Sequence, residues 1–409
     1  MNETGRQAPV EDSATAGRSA CRVILNAREE RRVVRGHRWV FSNEIARVEG
    51  EPAGGDVVEV VRQDGRLVGI GHYNPHSLIA VRLLGDQRES VDRTFFLSRL
   101  RRALRLRQRL YPDLSSFRLV HGESDDLPGL VVDRYDDCLA LQTLSLGMDR
   151  MKDTICDALE DLLKPRCIVE RNESALRERE GLPMRSGVLR GEAPERVGIV
   201  EADLRFEVRL MGGHKTGFYF DQRENRQAMR RFAPGARALD AYMNDGAFAL
   251  HLARGGAQAV LGLDISEEAV EAARGNARLN GLEPLCEFRT GDAGLALEEL
   301  HAGNERFDLI VLDPPSFTRS RKNVPSAKRG YEEINRKALR VLRRGGILGT
   351  ASCSFHITDE TFLECVQEAA FRTQRVLRLL EWRSQAPDHP VLPSMPETRY
   401  LKFGIFEVD

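Results

Sequence analysis

The stretch Ala238-Leu-Asp-Ala-Tyr-Met-Asn-Asp-Gly-Ala-Phe-Ala-Leu250 decides the fold of this 409-residue chain. It begins as an apolar strand, passes through a polar turn and ends as the start of a helix. The alternation continues beyond it, and the strand-like runs are Ala238–Tyr242, Ala259–Asp264, Cys286–Thr290, Asp308–Leu312 and Gly346–Ser352. Helices between such strands are typical of a parallel sheet covered on both faces, so we predict an α/β, doubly wound domain.

Acidic residues mark the ends of the first three strands. Asp240 lies in the first strand, Asp264 ends the second, and Asp292 follows the third. Ligands of such sheets bind beyond the carboxyl ends of the strands. An acid after the second strand can accept both hydroxyls of a ribose, and one after the third can accept an adenine amino group. We therefore predict a nucleoside cofactor lying across this edge.

The turn after the first strand indicates which nucleoside cofactor binds. A pyrophosphate requires Gly-x-Gly-x-x-Gly, whereas this turn has only Gly246, and Asp245 before it would repel a phosphate. S-adenosylmethionine has no phosphate and fits better. The predicted cofactor contacts here are Asp240, Tyr242, Asn244, Gly246, Asp264, Ile265, Asp292, Ala293, Asp313 and Pro314.

The run Asp313-Pro-Pro-Ser-Phe317 follows the fourth strand at the same edge. Two prolines fix its backbone, so Asp313 can bond to the edge of a base while Pro315 and Phe317 contact its face. The alternative interpretation is an ordinary strand exit.

Cys353 ends the fifth strand between two serines. The chain has seven cysteines and no Cys-x-x-Cys, so we expect neither a disulfide framework nor a metal site, and we interpret the other cysteines as buried apolar residues. A thiolate at this edge can add to carbon 6 of cytosine, which makes carbon 5 nucleophilic toward the methyl donor. Cys353 and Asp313 are the predicted catalytic pair, with Asp313 stabilising charge at ring nitrogen 3.

Basic charge is concentrated near the N-terminus, although the net charge is only −1. The segment 22–110 has 18 Arg, 11 acidic residues and no Lys. Arginine binds phosphates and stacks on bases, so this segment suggests RNA, with Arg31, Arg35 and Arg38 as candidate contacts. The alternative is a solvated surface in a chain that uses arginine in place of lysine.

Composition changes predict three folded parts after a disordered tail at 1–20. We expect a small β-barrel at 21–90, a connector helix with a central α+β domain at 91–212, and the doubly wound domain at 213–409. No apolar run reaches the ~20 residues that a membrane span needs, and no secretory signal is visible. We expect a soluble cytoplasmic protein, and we leave a homodimer open.

Several long blocks of the chain resemble one known family. They are Gly36–Ile45, Tyr73–Leu83, Val120–Asp125, His214–Arg226, Asp313-Pro-Pro, Ser352-Cys-Ser354 and Asp388–Glu397. In these blocks the sequence is similar to the ribosomal RNA large subunit methyltransferase I family, whose members use S-adenosylmethionine to make 5-methylcytidine.

The resemblance implies an N-terminal PUA domain that contacts RNA, a central α+β domain and a Rossmann-like class I methyltransferase domain. It gives Cys353 the position of the nucleophile and Asp313 that of the base contact. It also makes Phe218, Tyr219, Asp221 and Arg223 a wall of the cofactor site. The turn 242–248 departs from the family pattern, because Asp245 replaces a hydroxyl residue near the methionine end of the donor.

The leading hypothesis is a cytosine-5 methyltransferase acting on large-subunit ribosomal RNA. Asp-Pro-Pro-Ser-Phe also resembles the turn of enzymes that methylate an exocyclic nitrogen of guanine or adenine, which need no cysteine. A third alternative is an RNA-binding assembly factor without activity, and its only support is Asp245.

Overall fold

The computed structural model describes residues 21–211, 217–318 and 320–409. The disordered tail predicted for 1–20 lies outside the described residues, as does the beginning of the block His214–Arg226. No helix in the described ranges is long and apolar enough to cross a membrane.

The N-terminal part is built around a six-stranded sheet in the order β2-β6-β5-β4-β1-β3, counted over the described residues. Its elements are β1 (Arg22–Leu25), α1 (Glu30–Val34), β2 (Trp39–Phe41), β3 (Ile45–Glu49), β4 (Val57–Val61), β5 (Leu67–Tyr73) and β6 (Ile79–Gly85). Its strands are rich in valine, which favours pleated structure, and Val23, Val40, Val58, Val60 and Val81 are buried together in the core.

A long helix joins this sheet to a central one. Asp92 caps the helix by accepting a hydrogen bond from the Phe95 N–H at 3.0 Å. The elements that follow are α2 (Arg93–Leu110), β7 (Phe117–His121), β8 (Leu130–Tyr135), β9 (Cys138–Thr143), α3 (Leu146–Arg150), α4 (Lys152–Leu163), β10 (Cys167–Asn172) and β11 (Arg185–Gly191). Strands β7 to β11 form one sheet. One apolar face of α2 packs on it.

A hairpin lies between the central sheet and the C-terminal part. It consists of β12 (Arg196–Glu201) and β13 (Leu204–Arg209). Alternate residues of both strands are buried, as expected for a strand pair with one covered face. Its apolar side chains belong to a hydrophobic cluster that also contains residues of the C-terminal sheet.

The C-terminal part is a seven-stranded sheet within the described residues, in the order β16-β15-β14-β17-β18-β20-β19. Its elements are α5 (Arg223–Arg230), β14 (Arg237–Ala241), α6 (Ala247–Arg254), β15 (Ala259–Asp264), α7 (Glu267–Leu279), β16 (Cys286–Thr290), α8 (Ala293–Ala302), β17 (Phe307–Leu312), α9 (Val324–Val341), β18 (Leu342–Ser352), α10 (Asp359–Arg372), β19 (Leu377–Arg383) and β20 (Lys402–Val408). Strands β14 to β18 are parallel. The chain reverses its direction of winding between β14 and β17, which is where such sheets bind ligands.

The C-terminal end of this sheet differs from the prediction in two respects. Strand β18 begins at Leu342, directly after α9 ends at Val341, whereas the predicted strand began at Gly346. Strand β20 runs antiparallel to β18 and to β19, and neither β19 nor β20 was predicted. This antiparallel pair brings the end of the chain against the strand that carries Cys353.

Candidate active site

The turn after β14 has an uncommon backbone. Tyr242, Asn244 and Gly246 have φ angles of 67°, 49° and 77°, in the left-handed region. Glycine is required at position 246 for two reasons. Its positive φ angle disfavours other residues, and a Cβ there would lie 2.9 Å from the Cβ of Ala273 in α7. The turn folds back on β15, where the Tyr242 N–H donates to the Leu263 oxygen at 2.9 Å. It is therefore held rigidly at the edge where the cofactor was predicted.

Asp264 ties this turn to the end of β15. Its Oδ2 accepts a hydrogen bond from the Asn244 N–H at 2.9 Å, and its Oδ1 accepts one from the Ser266 N–H at 2.9 Å. A carboxylate can accept about four hydrogen bonds. The Asp264 side chain therefore retains acceptor positions for the two hydroxyls of a ribose.

Asp240 supports the same turn from below. It is fully buried, its Oδ2 accepts from the Ala249 N–H at 2.8 Å, and its Oδ1 has no hydrogen-bond partner among the described residues. Burial, together with the nearby carboxylates of Asp313 and Asp264, raises the pKa of Asp240 to about 8. Asp240, predicted as a cofactor contact, is therefore a buried carboxyl beneath the site.

Asp245 adds another acid to this edge. Burial and the carboxylate of Asp264 raise the pKa of Asp245 to about 7, while Arg226 opposes the rise. Arg226 is itself occupied, because its Nε donates to Oε1 of Glu201 at 2.6 Å. Acidic groups therefore outnumber available cations at this edge. S-adenosylmethionine has a sulfonium and an ammonium, so this edge suits the donor and does not suit a pyrophosphate.

The far end of the edge has the polar groups expected for an adenine. Asp292 caps α8 through a hydrogen bond from the Leu295 N–H at 2.9 Å, and Ala293 begins that helix. Burial and the Asp292 carboxylate raise the pKa of Tyr242, which places these two side chains near each other. Ile265 is 73% exposed beside them and can cover an aromatic ring.

The loops that contain Asp313 and Cys353 are joined by hydrogen bonds. They follow the parallel neighbours β17 and β18, in which Leu312 lies opposite Thr350. The Ser354 hydroxyl lies 2.9 Å from the Ser316 hydroxyl and 2.8 Å from the Tyr331 hydroxyl. This hydroxyl cluster fixes the two loops relative to each other.

Some residues next to Asp313 support its loop from inside the protein, and others are exposed at the edge of the sheet. Pro314 is buried and Pro315 is exposed at the edge. The Phe317 ring packs on Tyr331, with ring centroids 4.6 Å apart, and it is only partly accessible. Pro315 is therefore free to contact a base, whereas much of the Phe317 ring is used to support the loop.

Cys353 is partly buried at the end of β18, with Tyr400 packed against the same hydrophobic cluster. The Cys353 thiolate contributes to raising the pKa of Tyr331 and of Tyr400. Both phenols are therefore near the sulfur and neutral at physiological pH.

A cavity of about 200 Å³ adjoins Tyr400. It is lined by Arg118, His121, Gly217, Phe218, Tyr219, Phe220, Asp221, His389 and Tyr400. The Tyr400 hydroxyl donates to Asp221 Oδ2 at 2.7 Å. Burial and the charge of Arg118 hold the pKa values of His121 and His389 well below the usual range, so both imidazoles are neutral. The cavity combines aromatic walls with hydrogen-bonding groups, which are the two neutral imidazoles, Arg118 and Asp221, and this combination suits a nucleobase.

Comparison with known proteins decides the family. Residues 172–401 match a family described as S-adenosylmethionine-dependent methyltransferase, and residues 23–86 match a PUA-like domain. The ribosomal RNA large subunit methyltransferase I of Aeromonas hydrophila is 41% identical over 386 residues, which are 93% of this chain and 97% of that protein. That of Aeromonas salmonicida is 42% identical over 385 residues, with the same shares covered. This chain belongs to the ribosomal RNA large subunit methyltransferase I family.

Membership of this family confirms the predicted cofactor and enzyme class, an S-adenosylmethionine-dependent methyltransferase. A candidate methyltransferase from Streptococcus mutans matches the fold with a TM-score of 0.81 at 20% identity, over 94% of this chain and 99% of that chain. Another solved candidate methyltransferase, complexed with SAH, has a TM-score of 0.83 at 20% identity over the same shares. These likenesses confirm the predicted fold class.

The residues Phe218–Arg223, predicted to form a wall of the cofactor site, differ in whether they face the cavity beside Tyr400. Tyr219 and Asp221 line the cavity, and Phe218 lines it while being 4% exposed. Arg223 is buried and donates to the Ser116 oxygen at 2.7 Å and to Oε2 of Glu201 at 3.2 Å. Arg223 therefore joins separate segments behind the wall, and its guanidinium is occupied by the protein.

The three arginines predicted to contact RNA differ in exposure and in ion pairing. Arg31 and Arg35 are exposed, and neither has an ion pair within the described ranges. Arg38 forms an ion pair with Asp126 of the central part, so its charge is partly used to hold the two parts together.

Sequence reasoning missed a second group of exposed arginines on α2. Arg101, Arg105 and Arg109 are exposed and have no ion pair in the part of the chain that the structure describes. Their spacing of four residues places them along one face of the helix, opposite the buried Arg107, which binds Asp125. The signal was present in the sequence, because α2 contains arginines and no acidic residue.

Proposed function

We propose that this chain methylates carbon 5 of a cytosine in large-subunit ribosomal RNA. The observation that carries the proposal is the thiol of Cys353, which directly follows β18 in a loop hydrogen-bonded to that of Asp313. Transfer to an exocyclic nitrogen would use the Asp-Pro-Pro turn and leave this thiol without a task. The curated relatives are named for the large subunit of ribosomal RNA, and this supports the choice of substrate.

In the proposed reaction, the Cys353 thiolate adds to carbon 6 of the base. A new carbon–sulfur bond forms, and the displaced electron pair makes carbon 5 nucleophilic. Asp313 in its acid form donates a proton to nitrogen 3, which neutralises the charge that develops there, and takes the proton back when the adduct breaks down. S-adenosylmethionine would supply the electrophilic methyl group, which bonds to carbon 5 as S-adenosylhomocysteine leaves. Loss of the carbon-5 proton to solvent then lets the carbon–sulfur bond break, which regenerates the Cys353 thiolate.

The charges of the edge support this placement of the donor. Asp264 holds the ribose, Asp292 the adenine, and Asp245 lies beside the ammonium of the methionine end. A partly buried acid near a cation is stabilised as its carboxylate, so Asp245 can favour the donor despite its departure from the family pattern. In this proposal the base reacts at Cys353 and Asp313, and the cavity that Tyr400 lines adjoins that position.

The N-terminal part supplies contacts to the RNA backbone in this proposal. The segment 21–90 binds through Arg31 and Arg35, the segment 91–212 through the exposed arginines of α2, and 213–409 performs the transfer. Ribosomal RNA as substrate implies action in the cytoplasm. A homodimer stays a prediction.

The test is nucleoside mass spectrometry on unmodified large-subunit RNA with isotopically labelled S-adenosylmethionine. We expect labelled 5-methylcytidine from the wild type and from Cys286→Ala, a partly buried cysteine at the opposite end of its strand. Cys353→Ala should give none while binding the donor normally. Labelled methylguanosine or methyladenosine from both cysteine variants would contradict the proposal.

A further inference from the structure

Lys402 lies directly across the sheet from the Cys353 loop. It is the first residue of β20 and is paired in register with Ser352, the last residue of β18. Lys402 is 3% exposed, and among the described residues it is the only buried lysine. Lysine is almost never fully buried unless it is paired with an anion. The surroundings of this side chain therefore require an explanation.

The hydrogen bonds of Lys402 enclose the cysteine loop. Its Nζ donates to the Ser354 oxygen at 2.7 Å and to the Tyr400 oxygen at 2.8 Å. One bond thus fixes the residue after Cys353, and the other fixes the backbone of Tyr400, the tyrosine beside the sulfur, just before β20 begins. The ammonium is therefore held in place by the backbone on both sides of the sulfur.

No carboxylate within the described residues comes within 4.0 Å of this ammonium. Asp359 is the acid that acts on it most strongly, but Oδ1 of Asp359 accepts from Trp382 Nε1 at 2.6 Å and from Arg399 at 2.8 Å. Burial lowers the pKa of Lys402 to about 8, and Asp359 and the Cys353 thiolate oppose that fall. The positive charge of Arg399 lowers the pKa of Lys402 further.

Two other titratable groups respond to the Cys353 thiolate, and neither is charged at neutral pH. Tyr331 and Tyr400 are phenols whose pKa values are raised by burial. Ser352 and Ser354 are neutral hydroxyls. Lys402 is therefore the cation placed to stabilise negative charge on Cys353, and the Cys353 thiolate is the anion that the buried ammonium otherwise lacks.

We propose that Lys402 is a positioning residue for the nucleophile, because its buried ammonium holds the backbone around Cys353 and its charge favours the thiolate over the thiol. The inference rests on the proposed function, since it assigns a purpose to an ionised Cys353. It predicts that neutralising Lys402 makes the thiolate form only at higher pH.

The experiment measures how fast iodoacetamide alkylates Cys353 as a function of pH, with the Cys353 peptide quantified by mass spectrometry. Lys402→Met retains the length and apolar stem, and we expect the midpoint of its profile to lie about one pH unit or more above that of the wild type. This corresponds to roughly tenfold slower alkylation near pH 7. Lys402→Arg retains the charge and should keep the midpoint close to the wild-type value.

The matched control is Lys337→Met. Lys337, in α9, is also largely buried, with 14% of its side chain exposed, but it already forms an ion pair with Glu298 of α8 at 3.0 Å. Its midpoint should not move. Turnover gives a second readout: Lys402→Met should lower kcat at pH 7, recover part of it at pH 9, and leave the KM for S-adenosylmethionine unchanged.

An unchanged alkylation profile in Lys402→Met overturns the inference, even if turnover falls. Equal shifts in Lys402→Met and Lys402→Arg also overturn it, because they indicate a packing role. These outcomes are distinct from failure of the proposed function, which is decided by retained methylation in Cys353→Ala.

Discussion

The cofactor edge and the N-terminal arginine surface are electrostatic opposites. At the edge, Asp240 and Asp245 are acids with raised pKa values, crowded around Asp264. On the other surface, Arg31 and Arg35 of the α1 region, together with the stripe on α2, are exposed and without ion pairs in the described ranges. One region shelters acids that are partly protonated near neutral pH, and the other spreads positive charge into water.

The difference corresponds to the two partners of the enzyme. S-adenosylmethionine is a small cation, and a sheltered acidic edge interacts with it through charges that salt screens weakly. RNA is a polyanion, and exposed arginines interact with it through charges that salt screens strongly, over a Debye length of about 8–10 Å. The comparison therefore predicts that donor binding depends little on salt and RNA binding depends on it steeply.

The largest expected effect is on donor binding by Asp264→Ala. This change removes the acceptor of the ribose hydroxyls and also frees the Asn244 N–H that holds the turn. We expect S-adenosylmethionine affinity to fall by about 1–3 kcal/mol, or roughly 5- to 150-fold, at both 50 and 300 mM salt. Calorimetry measures it, with Glu271→Ala on the exposed face of α7 as control. Unchanged affinity in Asp264→Ala would show that the cofactor does not bind at this edge of the sheet.

Chain order alone predicted part of this site. Asp264, Asp292, Asp313 and Cys353 follow consecutive strands of one parallel sheet, and the carboxyl ends of such strands meet at one edge. The structure places all four there, although their roles stay predictions. Sequence could also show that the glycine of the turn is needed, but not that Asp240 is buried beneath it.

Contacts between distant segments could not be predicted. Lys402 reaches Ser354 across 48 residues only because β20 pairs antiparallel with β18, and that pairing has no local signal in the sequence. Arg38 and Asp126 are 88 residues apart, and their ion pair depends on how the N-terminal and central parts pack. The sequence showed Arg38 as a cation, and only the fold showed that it is occupied.

Asp245 should make the cofactor edge respond to pH. Its folded pKa of about 7 exceeds the usual value near 3.9, so between these values the folded protein keeps a proton that the unfolded chain releases. The wild type should therefore lose stability relative to Asp245→Asn as pH rises from 4 to 7. Melting temperatures at pH 5 and pH 8 measure this difference.

Donor binding should follow the same titration in the opposite sense. The Asp245 carboxylate forms as pH rises through about 7, and it attracts the donor's ammonium. We expect wild-type affinity for S-adenosylmethionine to increase by about tenfold between pH 6 and pH 8, with a smaller increase in Asp245→Asn. If both proteins show the same pH profile, Asp245 does not face the donor.

The smallest expected effect is on RNA binding by the exposed arginines. Arg31→Gln with Arg35→Gln tests the α1 region, and a triple change to Gln at Arg101, Arg105 and Arg109 tests the stripe on α2. Each variant should weaken RNA binding by roughly three- to tenfold at 0.15 M salt. The slope of log affinity against log salt should also become shallower, by about 0.7–0.9 for each phosphate that the variant no longer neutralises. Filter binding across a salt series measures both quantities.

The control for these variants is a triple change to Gln at Arg274, Arg372 and Arg378. Each of these arginines is exposed and ion-paired on the C-terminal part, so the control alters the net charge as much as the α2 variant does. Donor affinity should stay unchanged in all three variants. If the control flattens the salt slope as much as the α2 variant does, the exposed arginines act only through the net charge of the protein. The N-terminal arginine surface would then not be a separate RNA-binding region, and only the cofactor edge would remain a localised site.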